Sequence, residues 1–599
     1  MTRGWTPARL ALLVALLALA QWLRTAGLDF GLPAVYNPDE VSIMSRALGF
    51  AKGDLNPHNF LYPTFYFYVL FGWIGGWFVL NWLTGAIPSL GAFQTQFFLD
   101  PSGVYLAGRA LGVVCGVATV WVTWLLAART AGWRAGAVAA LLLAVAPTAV
   151  RDAHYVKHDV PVTLAVAVAM LVLLRLARVG EAAHAPPDPP RPPALLAAGA
   201  VCGVAFSTHY YAVFLALPLA IAVALRCGAL AGPPGGARPT TADLLRAWAW
   251  AATGAAVAFI ALSPFLLVEP RTAWQDIVAN RQIVVDRAAE LGSGPLPSAA
   301  AYARLLWHEG LGWPALGAAF AGTVLIVRRR PWHALLLLAF PVAFLLFISH
   351  TVAASRYLNP VLPFLAVAAG CGVALASRST PIAAALAVGI ALPAWWQSWQ
   401  IGRFFAQTDT RTIAQRWIER EVPAGTTVLI QPYSVALTQS RESLVEALTA
   451  TLGDPGRAST KFALRLALDP YPSPAYRTIY LGDGGLDADK LYVSPGAFRA
   501  APGSSGAPAV PGTALQPLTR LGVQYVVLKR YNAEDPAVTP LRDWLLAAAT
   551  RVATVSPYRA DATDADRARV APFLHNTDTP WHPALERPGP GLEIWKLPR

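Results

Sequence analysis

The chain has 599 residues, of which 55% are hydrophobic and 14% are charged, and its mean hydropathy is +0.45. Soluble domains carry about 25% charged residues, so this composition excludes an ordinary soluble protein and predicts a polytopic membrane protein. The net charge of +13 does not indicate nucleic-acid binding, because the basic residues lie between apolar runs, as they do in cytoplasmic loops. The four cysteines lie in or beside apolar segments, which argues against a disulfide framework and suits a bacterial inner membrane.

Apolar runs alternate with basic loops along the chain in an order that predicts a topology. A first run over 7–26 has Arg3 and Arg9 at its start, and a long outer loop over 27–103 comes next. An aromatic-rich run at 62–84 within this loop is assigned to an interfacial or re-entrant helix, because every later basic loop then faces the cytoplasm. About eleven transmembrane helices result, at 7–26, 104–128, 135–150, 160–178, 194–209, 211–226, 244–266, 310–327, 332–349, 361–376 and 381–400.

From about Arg403 the composition becomes that of a soluble domain. Counting the membrane crossings puts this segment outside the cytoplasm. The sequence therefore predicts an all-α transmembrane domain over 1–402 and an extracytoplasmic α/β domain over 403–599, in a multi-pass protein of the inner (plasma) membrane. Residue patterns in the second domain predict helices at 409–421 and near 540–552, and strands at 426–430, 478–481, 523–528 and 592–597.

Under this topology, the outer loops bring four polar stretches to one side of the membrane. Two adjacent acids form the first, and ionisable or aromatic side chains interrupt apolar sequence at three later points. Charged groups at a membrane edge are costly to bury, which favours a functional role over a passive turn. The candidates are Asp39 and Glu40, then His154, Lys157, His158 and Asp159, then His209 and Tyr210, and finally Arg356 and Tyr357.

These residue types suit the transfer of a sugar from a lipid-linked phosphate. A carboxylate can accept the proton of a hydroxyl, and arginine and histidine can hold a phosphate that becomes the leaving group. No P-loop or Rossmann glycine pattern is evident, so a nucleotide donor is unsupported. Asp39 with His154, His158 and Asp159 forms an alternative set of ligands for a divalent cation. Because four-residue histidine spacing is a weak signal, we favour a site without metal.

Each candidate also has a purely structural explanation. Asp39 is suited to begin a helix as its acidic cap, and Arg356 is suited to extend its charge to the membrane interface. The histidines suit satisfied positions in a helix bundle or a solvated turn. For the chain as a whole, the alternatives are a transporter or flippase of lipid-linked sugars and a non-catalytic membrane scaffold. A transporter would carry midplane charges in paired repeats, whereas no repeat is evident and the polar groups gather at the outer edge.

Five short motifs occur in a characteristic order. They are Pro38-Asp39-Glu40, the Tyr-Pro-Thr-Phe-Tyr-Phe segment that begins at Tyr62, the Arg-Asp-Ala-His-Tyr…His-Asp-Val-Pro segment at 151–161, Arg356-Tyr357 with Pro360 and Pro363, and Thr410-Arg411 through Thr426. This order resembles the dolichyl-phosphate-mannose-protein mannosyltransferases, glycosyltransferase family 39. The wider group is the GT-C membrane glycosyltransferases, which includes the aminoarabinose transferase acting on lipid A. The resemblance covers the membrane part, to about residue 400.

The resemblance implies an inverting transfer from a polyprenyl-phosphate sugar to a hydroxyl of a protein, lipid or glycan acceptor. In that scheme Asp39 is the base, Asp159 binds or orients the acceptor, and Arg356 holds the lipid phosphate. His209 stands where many relatives have lysine, which predicts a weaker or pH-dependent phosphate contact. The predicted partners are the donor, the acceptor and membrane lipids, with no nucleic acid and no certain cofactor. Glu40 is a further catalytic candidate, and the further substrate-binding candidates are Tyr62, His154, Lys157, His158, Tyr210 and Tyr357.

Overall fold

The structure is a computed structural model that describes residues 6–179, 190–230, 239–287, 294–377, 379–485, 487–498, 516–531, 535–575 and 580–598. The described chain divides into two compact units, and the boundary expected between 402 and 403 stays a prediction. The first unit comprises Met1–Leu28, Asp39–Leu80 and Val104–Arg403, and the second comprises Asp29–Pro38, Asn81–Gly103 and Phe404–Arg599.

Up to residue 405, every regular element in the described part of the chain is helical. Short 3-10 segments at Phe50–Lys52, Tyr210–Leu215 and Ser355–Leu358 interrupt the series, as do π-helical turns at Gln282–Asp286 and Leu306–Gly310. The α-helices are α1 Pro7–Thr25, α2 Pro38–Gly49, α3 Phe65–Leu83, α4 Leu90–Leu99, α5 Ser102–Ala131, α6 Trp133–Ala144, α7 Pro147–Asp152, α8 Asp159–Leu176, α9 Pro192–Thr208, α10 Ala216–Arg226, α11 Thr241–Leu262, α12 Phe265–Val268, α13 Pro270–Arg281, α14 Pro295–Leu305, α15 Trp313–Arg329, α16 Pro331–Ile348, α17 Leu362–Ala376 and α18 Thr380–Phe405.

Among the described residues, seven helices are long and apolar enough to cross a membrane, and the count rises to eight if one pair of helices bent by 113° forms a single span. Shorter apolar helices occur at Trp133–Ala144, Pro192–Thr208, Tyr210–Arg226 and Leu362–Ala376. The chain is therefore a multi-pass helical membrane protein, as predicted. Helix α3 passes the same test of length and apolarity, so its assignment to the membrane interface stays a prediction.

Small residues let the helices of the first unit pack with their backbones in close contact. A Cβ atom at Gly199 would lie 1.9 Å from the carbonyl oxygen of Ala251, so only glycine allows α9 to pack this closely against α11. A Cβ atom at Gly322 would likewise lie 1.9 Å from the carbonyl oxygen of Ala368, where α15 packs against α17. The hydrophobic effect does not drive helices together within lipid. Van der Waals contact between closely packed backbones therefore stabilises these helix pairs.

The second unit contains a six-stranded sheet with the strand order β3-β2-β1-β4-β6-β5. The pairs β1–β2, β1–β4 and β2–β3 are parallel, whereas β6 runs antiparallel to both β4 and β5. The elements beyond residue 405 are α19 Thr410–Glu421, β1 Thr427–Ile430, α20 Arg441–Leu452, α21 Thr460–Leu466, β2 Arg477–Leu481, β3 Leu491–Val493, α22 Gln516–Arg520, β4 Tyr525–Arg530, α23 Thr539–Ala548, β5 Thr550–Val555, α24 Asp564–Arg569 and β6 Gly591–Lys596, with 3-10 turns at Pro455–Arg457 and Pro495–Phe498.

Alternate residues of the central strands enter two separate hydrophobic cores. Leu429 and Val526 pack in one core, whereas Val428 and Val527 pack in the other. Because side chains of a strand alternate between its faces, the sheet is buried on both sides, as an α/β domain requires. The predicted α/β class is confirmed, but the helix expected near 540–552 is partly wrong. The helix ends at Ala548, and β5 begins at Thr550. The first residues of this strand were predicted as the end of the helix.

Candidate active site

A polar cavity of about 180 Å³ in the first unit collects residues from five separate stretches of the chain. Eight of the eleven predicted site residues line it, so the expected convergence of distant loops is observed. The lining residues are Asp39, Ser42, Ile43 and Arg46 of α2, Leu61 and Tyr62, then Lys157, His158 and Asp159, then His209, and finally Arg356 and Tyr357.

Asp39 lies in the first turn of α2 and forms an ion pair with Lys157. The Nζ atom of Lys157 is 2.7 Å from Oδ2 of Asp39, and the carboxylate side chain is 53% exposed while the lysine is only 6% exposed. Burial alone would raise the pKa of Asp39, but the charges of Lys157 and Arg356 lower it below its ordinary value. Asp39 is therefore an ionised carboxylate that faces the cavity.

Glu40 lies next to Asp39 in the chain, but it does not line the cavity. Both of its oxygens accept hydrogen bonds from Arg109 of α5, each at 2.9 Å, and both side chains are fully buried. Oε1 also accepts a hydrogen bond from the backbone amide of Val156 at 3.0 Å. Glu40 thus ties α2 to α5 and to the turn that carries Lys157. Arg109 was not predicted, although an arginine inside a long apolar helix requires a partner.

A second buried network fixes the turn that carries Arg356. The guanidinium of Arg151 donates to Asp152 at 2.9 Å, to Glu309 at 2.9 Å and to Ser355 Oγ at 2.6 Å. Asn359 in turn donates to Asp152 at 2.6 Å. Because Ser355 and Asn359 flank Arg356, this network joins two of the predicted polar loops and sets the position of the arginine.

Aromatic and histidine rings form one wall of the cavity. His158 stacks on Tyr62 with ring centroids 4.3 Å apart, and His209 meets the same tyrosine edge-on at 5.2 Å. Burial lowers the pKa of His158 well below its ordinary value, and the nearby His209, Arg46 and Lys157 add to that effect. His158 is therefore neutral, and its role at this wall is packing or hydrogen bonding rather than charge.

His154 and Tyr210 lie outside the polar cavity. The two ring nitrogens of His154 lie 2.9 Å from the carbonyl oxygen of Val150 and 3.1 Å from that of Ala26, and burial lowers its pKa to about 4. The Tyr210 hydroxyl donates to the carbonyl oxygen of Phe60 at 2.9 Å. Both residues thus fix backbone segments around the cavity.

The alternative metal set does not come together in this structure. Across the described residues, no three His, Cys, Asp or Glu side chains converge as a group that could hold a metal ion. Both nitrogens of His154 face backbone carbonyls, and Asp39 is paired with Lys157. The residues present therefore do not fit the four-ligand site that the sequence left open.

The charge of the cavity favours an anionic ligand. Arg46, Lys157 and Arg356 carry positive charge, against the carboxylates of Asp39 and Asp159. Three cations and two acids leave an excess of one positive charge in the cavity. Arg46 was not predicted, although its spacing of seven residues from Asp39 puts both on one face of a helix.

A larger apolar cavity of about 560 Å³ adjoins the polar one. The two cavities share Tyr62, His209 and Tyr357 as lining residues. The other walls of the larger cavity are mostly aliphatic and aromatic, and Tyr210 belongs to them. They include Val213, Phe214, Ile277, Phe344, Phe347 and Ile348. The pair of cavities suits one amphipathic ligand with a charged head and a long apolar tail.

Comparison with known proteins gives a partial match to one family model and a similar fold. The family described as dolichyl-phosphate-mannose-protein mannosyltransferase matches residues 93–267. The structure of ArnT from Cupriavidus metallidurans bound to undecaprenyl phosphate is similar with a TM-score of 0.50 at 15% identity, covering 90% of this chain and 96% of that one. A comparison with curated proteins found no match.

Two other solved structures show weaker likeness. ArnT from the same organism in the apo state has a TM-score of 0.49 at 15% identity, covering 91% of this chain and 96% of that one. The archaeal oligosaccharyltransferase AglB from Archaeoglobus fulgidus, in complex with an inhibitory peptide and a dolichol-phosphate, has a TM-score of 0.43 at 10% identity, covering 87% and 69%.

The chain has the fold of the GT-C membrane glycosyltransferases, as predicted. The predicted resemblance to the dolichyl-phosphate-mannose-protein mannosyltransferases is confirmed over residues 93–267. At 15% identity the similarity to ArnT establishes the fold and not the substrates.

Proposed function

We propose that this chain transfers a sugar from a polyprenyl-phosphate donor to an acceptor hydroxyl, with inversion at the anomeric carbon. The observation that carries this proposal is the junction of the charged and the apolar cavities at Tyr62, His209 and Tyr357. A polyprenyl-phosphate sugar has an anionic head and a long isoprenoid tail, so its two parts match the two cavities. The ArnT structure of similar fold holds undecaprenyl phosphate, a molecule of the same chemical type.

In the proposed reaction Asp39 accepts the proton of the acceptor hydroxyl as that oxygen attacks the anomeric carbon. The bond from this carbon to the phosphate oxygen breaks, and polyprenyl phosphate leaves with the electron pair. Arg356 holds the leaving phosphate, and Asp159 orients the acceptor. A single base with no nucleophilic partner fits a one-step inverting displacement. His209, Tyr357 and Tyr62 contact the donor where its head meets its tail.

The same proposal includes the location of the reaction. The chain is an inner-membrane protein with its active site at the outer face, and residues 403–599 form an extracytoplasmic domain that follows a catalytic domain over 1–402 in the sequence. The basic loops between the apolar runs support this orientation, because lysine and arginine concentrate on the cytoplasmic side. Fusing a reporter that is active only outside the cytoplasm after residue 598 tests the location of the second domain.

Replacing Asp39 with asparagine tests the base directly. Turnover of Asp39→Asn should fall by about 10²- to 10⁴-fold, because an amide cannot accept the proton. Mass spectrometry should show one polyprenyl-phosphate sugar accumulating in cells that lack the gene. The wild-type gene should remove this accumulation, whereas the Asp39→Asn gene should not.

The matched control is Asp243→Asn, an acid-to-amide change at an exposed position of α11. It should remove the accumulated donor as well as the wild type does. Near-normal turnover by a folded Asp39→Asn protein would contradict the assignment of the base. If no lipid-linked sugar accumulates in the deletion strain, the proposed donor class is wrong.

A further inference from the structure

Lys157 has an unusual position for a lysine at a proposed base. Its side chain is only 6% exposed, and its ammonium contacts the carboxylate that would accept the proton. The backbone around it is fixed, since the amide of Val156 donates to Glu40 and the amide of Lys157 donates to the carbonyl oxygen of Tyr155 at 3.0 Å. The stem is therefore anchored while the ammonium reaches the cavity.

A carboxylate that holds an ammonium at 2.7 Å is a poor base, because accepting a proton there costs the ion pair. A base is effective in the transition state only when the pair is broken or weakened. The partner that could draw the ammonium away is a second anion in the same cavity. Lys157 lines the cavity together with Arg356, so a phosphate held by the arginine is within the space that the lysine faces.

Lysine is suited to change partners in this way. Its charge is a compact ammonium with three donors on a flexible stem, whereas the arginine fork holds one fixed geometry. Phosphate oxygens compete well for an ammonium, since charge-assisted hydrogen bonds to them are short and strong.

We propose that Lys157 shifts its ammonium from Asp39 to the donor phosphate when the donor binds, which frees Asp39 to act as the base. This inference rests on the proposed function, because it requires a phosphate in the cavity. The proton of the acceptor then goes to Asp39, and the electron pair of the broken bond goes to a phosphate held by both Lys157 and Arg356. Binding of the donor thus prepares the base, and a site without donor keeps its carboxylate occupied.

A double-mutant binding experiment tests the exchange of partners without any need for turnover. The probe is undecaprenyl monophosphate, and its dissociation constant is measured for the full-length wild type, Asp39→Asn, Lys157→Met and the double variant in lipid nanodiscs. If Asp39 and the phosphate compete for Lys157, Asp39→Asn should tighten binding about tenfold when Lys157 is present. In the Lys157→Met background the same change should have a clearly smaller effect.

Loss of simple repulsion between Asp39 and the phosphate would tighten binding equally in both backgrounds, and that result would overturn the proposal. If the wild type does not bind the probe at all, the proposed function fails instead. Lys157→Gln is a second variant in case Lys157→Met does not fold, and thermal unfolding of each protein checks this. Lys157→Arg should retain probe binding but release the base less well, so its turnover should fall more than its affinity.

Discussion

Asp39 and Glu40 are neighbours in the chain, yet they belong to two different regions of the first unit. Asp39 lines a cavity and its side chain is 53% exposed, whereas Glu40 is fully buried against Arg109. The arginines repeat this contrast, because Arg356 lines the cavity, whereas Arg151 is buried among two acids and one hydroxyl. Charges that face the cavity are available to a substrate, and charges behind it hold the loops that present them.

This contrast separates two consequences of mutation. A change at a cavity residue should impair binding or turnover while the protein stays folded. A change at a buried pair should reduce stability, because the remaining partner becomes an unpaired charge away from water. The replacement of Asp39 and the exchange test at Lys157 address the first region, and the next experiment addresses the second.

The largest effect on stability should come from breaking the buried pair behind the cavity. Arg109→Met leaves the Glu40 carboxylate without its two guanidinium hydrogen bonds and should lower the free energy of unfolding by about 3–5 kcal/mol. Denaturant unfolding in detergent measures this loss. The double variant Glu40→Met with Arg109→Met removes both charges, so it should be clearly more stable than Arg109→Met alone.

Arg46→Met provides a matched control, since Arg46 lines the cavity and is only half-buried. Its stability should stay close to that of the wild type. A loss of less than about 1 kcal/mol in Arg109→Met would show that the buried pair does not hold the loops.

Arg356 should give the next largest effect, and it should appear in binding. Arg356→Ala removes charge-assisted hydrogen bonds to the donor phosphate and should weaken binding of undecaprenyl monophosphate by about 10- to 100-fold. Arg356→Lys should recover part of that loss, because it keeps the charge and loses the fork. The unfolding midpoint should change little in either variant. If Arg356→Ala binds the probe as tightly as wild type, the arginine belongs to the interface and not to the site.

The two regions also differ in how well the sequence predicted them. Hydropathy predicted a multi-pass helical protein, and the predicted alternation of loops assigned Asp39, Asp159 and Arg356 to one side of the membrane. These three distant residues line one cavity in the structure, whereas the number of spans and the side that the loops face stay predictions. Glu40 and Arg109 are 69 residues apart, and their pairing depends on which face of α5 meets α2. The rotation of α5 about its own axis decides which face meets α2. This rotation is set by helix packing and cannot be read from the order of apolar residues in the sequence.

The second unit shows the same limit in an α/β fold. Four strands were predicted from runs of branched and aromatic residues, but β5 was taken as the end of a helix. Its residues pair with β6, and this distant pairing overrides the local pattern. The helix predicted at 409–421 is observed at Thr410–Glu421. Its start is fixed locally, since the side chain of Asp409 accepts a hydrogen bond from the backbone amide of Arg411.

The smallest expected effect comes from a change in the larger, mostly apolar cavity that removes no charge. Phe347 lines that cavity and the residue is 39% exposed, so Phe347→Ala should leave the fold intact. Losing its apolar surface should weaken binding of undecaprenyl monophosphate by about 1–2 kcal/mol, or roughly 5- to 30-fold. A short-chain prenyl monophosphate that ends before this wall should bind both proteins equally. Equal weakening for both chain lengths would mean that Phe347 acts on the phosphate site, and no change for either would remove the tail from this cavity. The difference between the two probes thus measures the tail separately from the head, which no change at a charged residue can do.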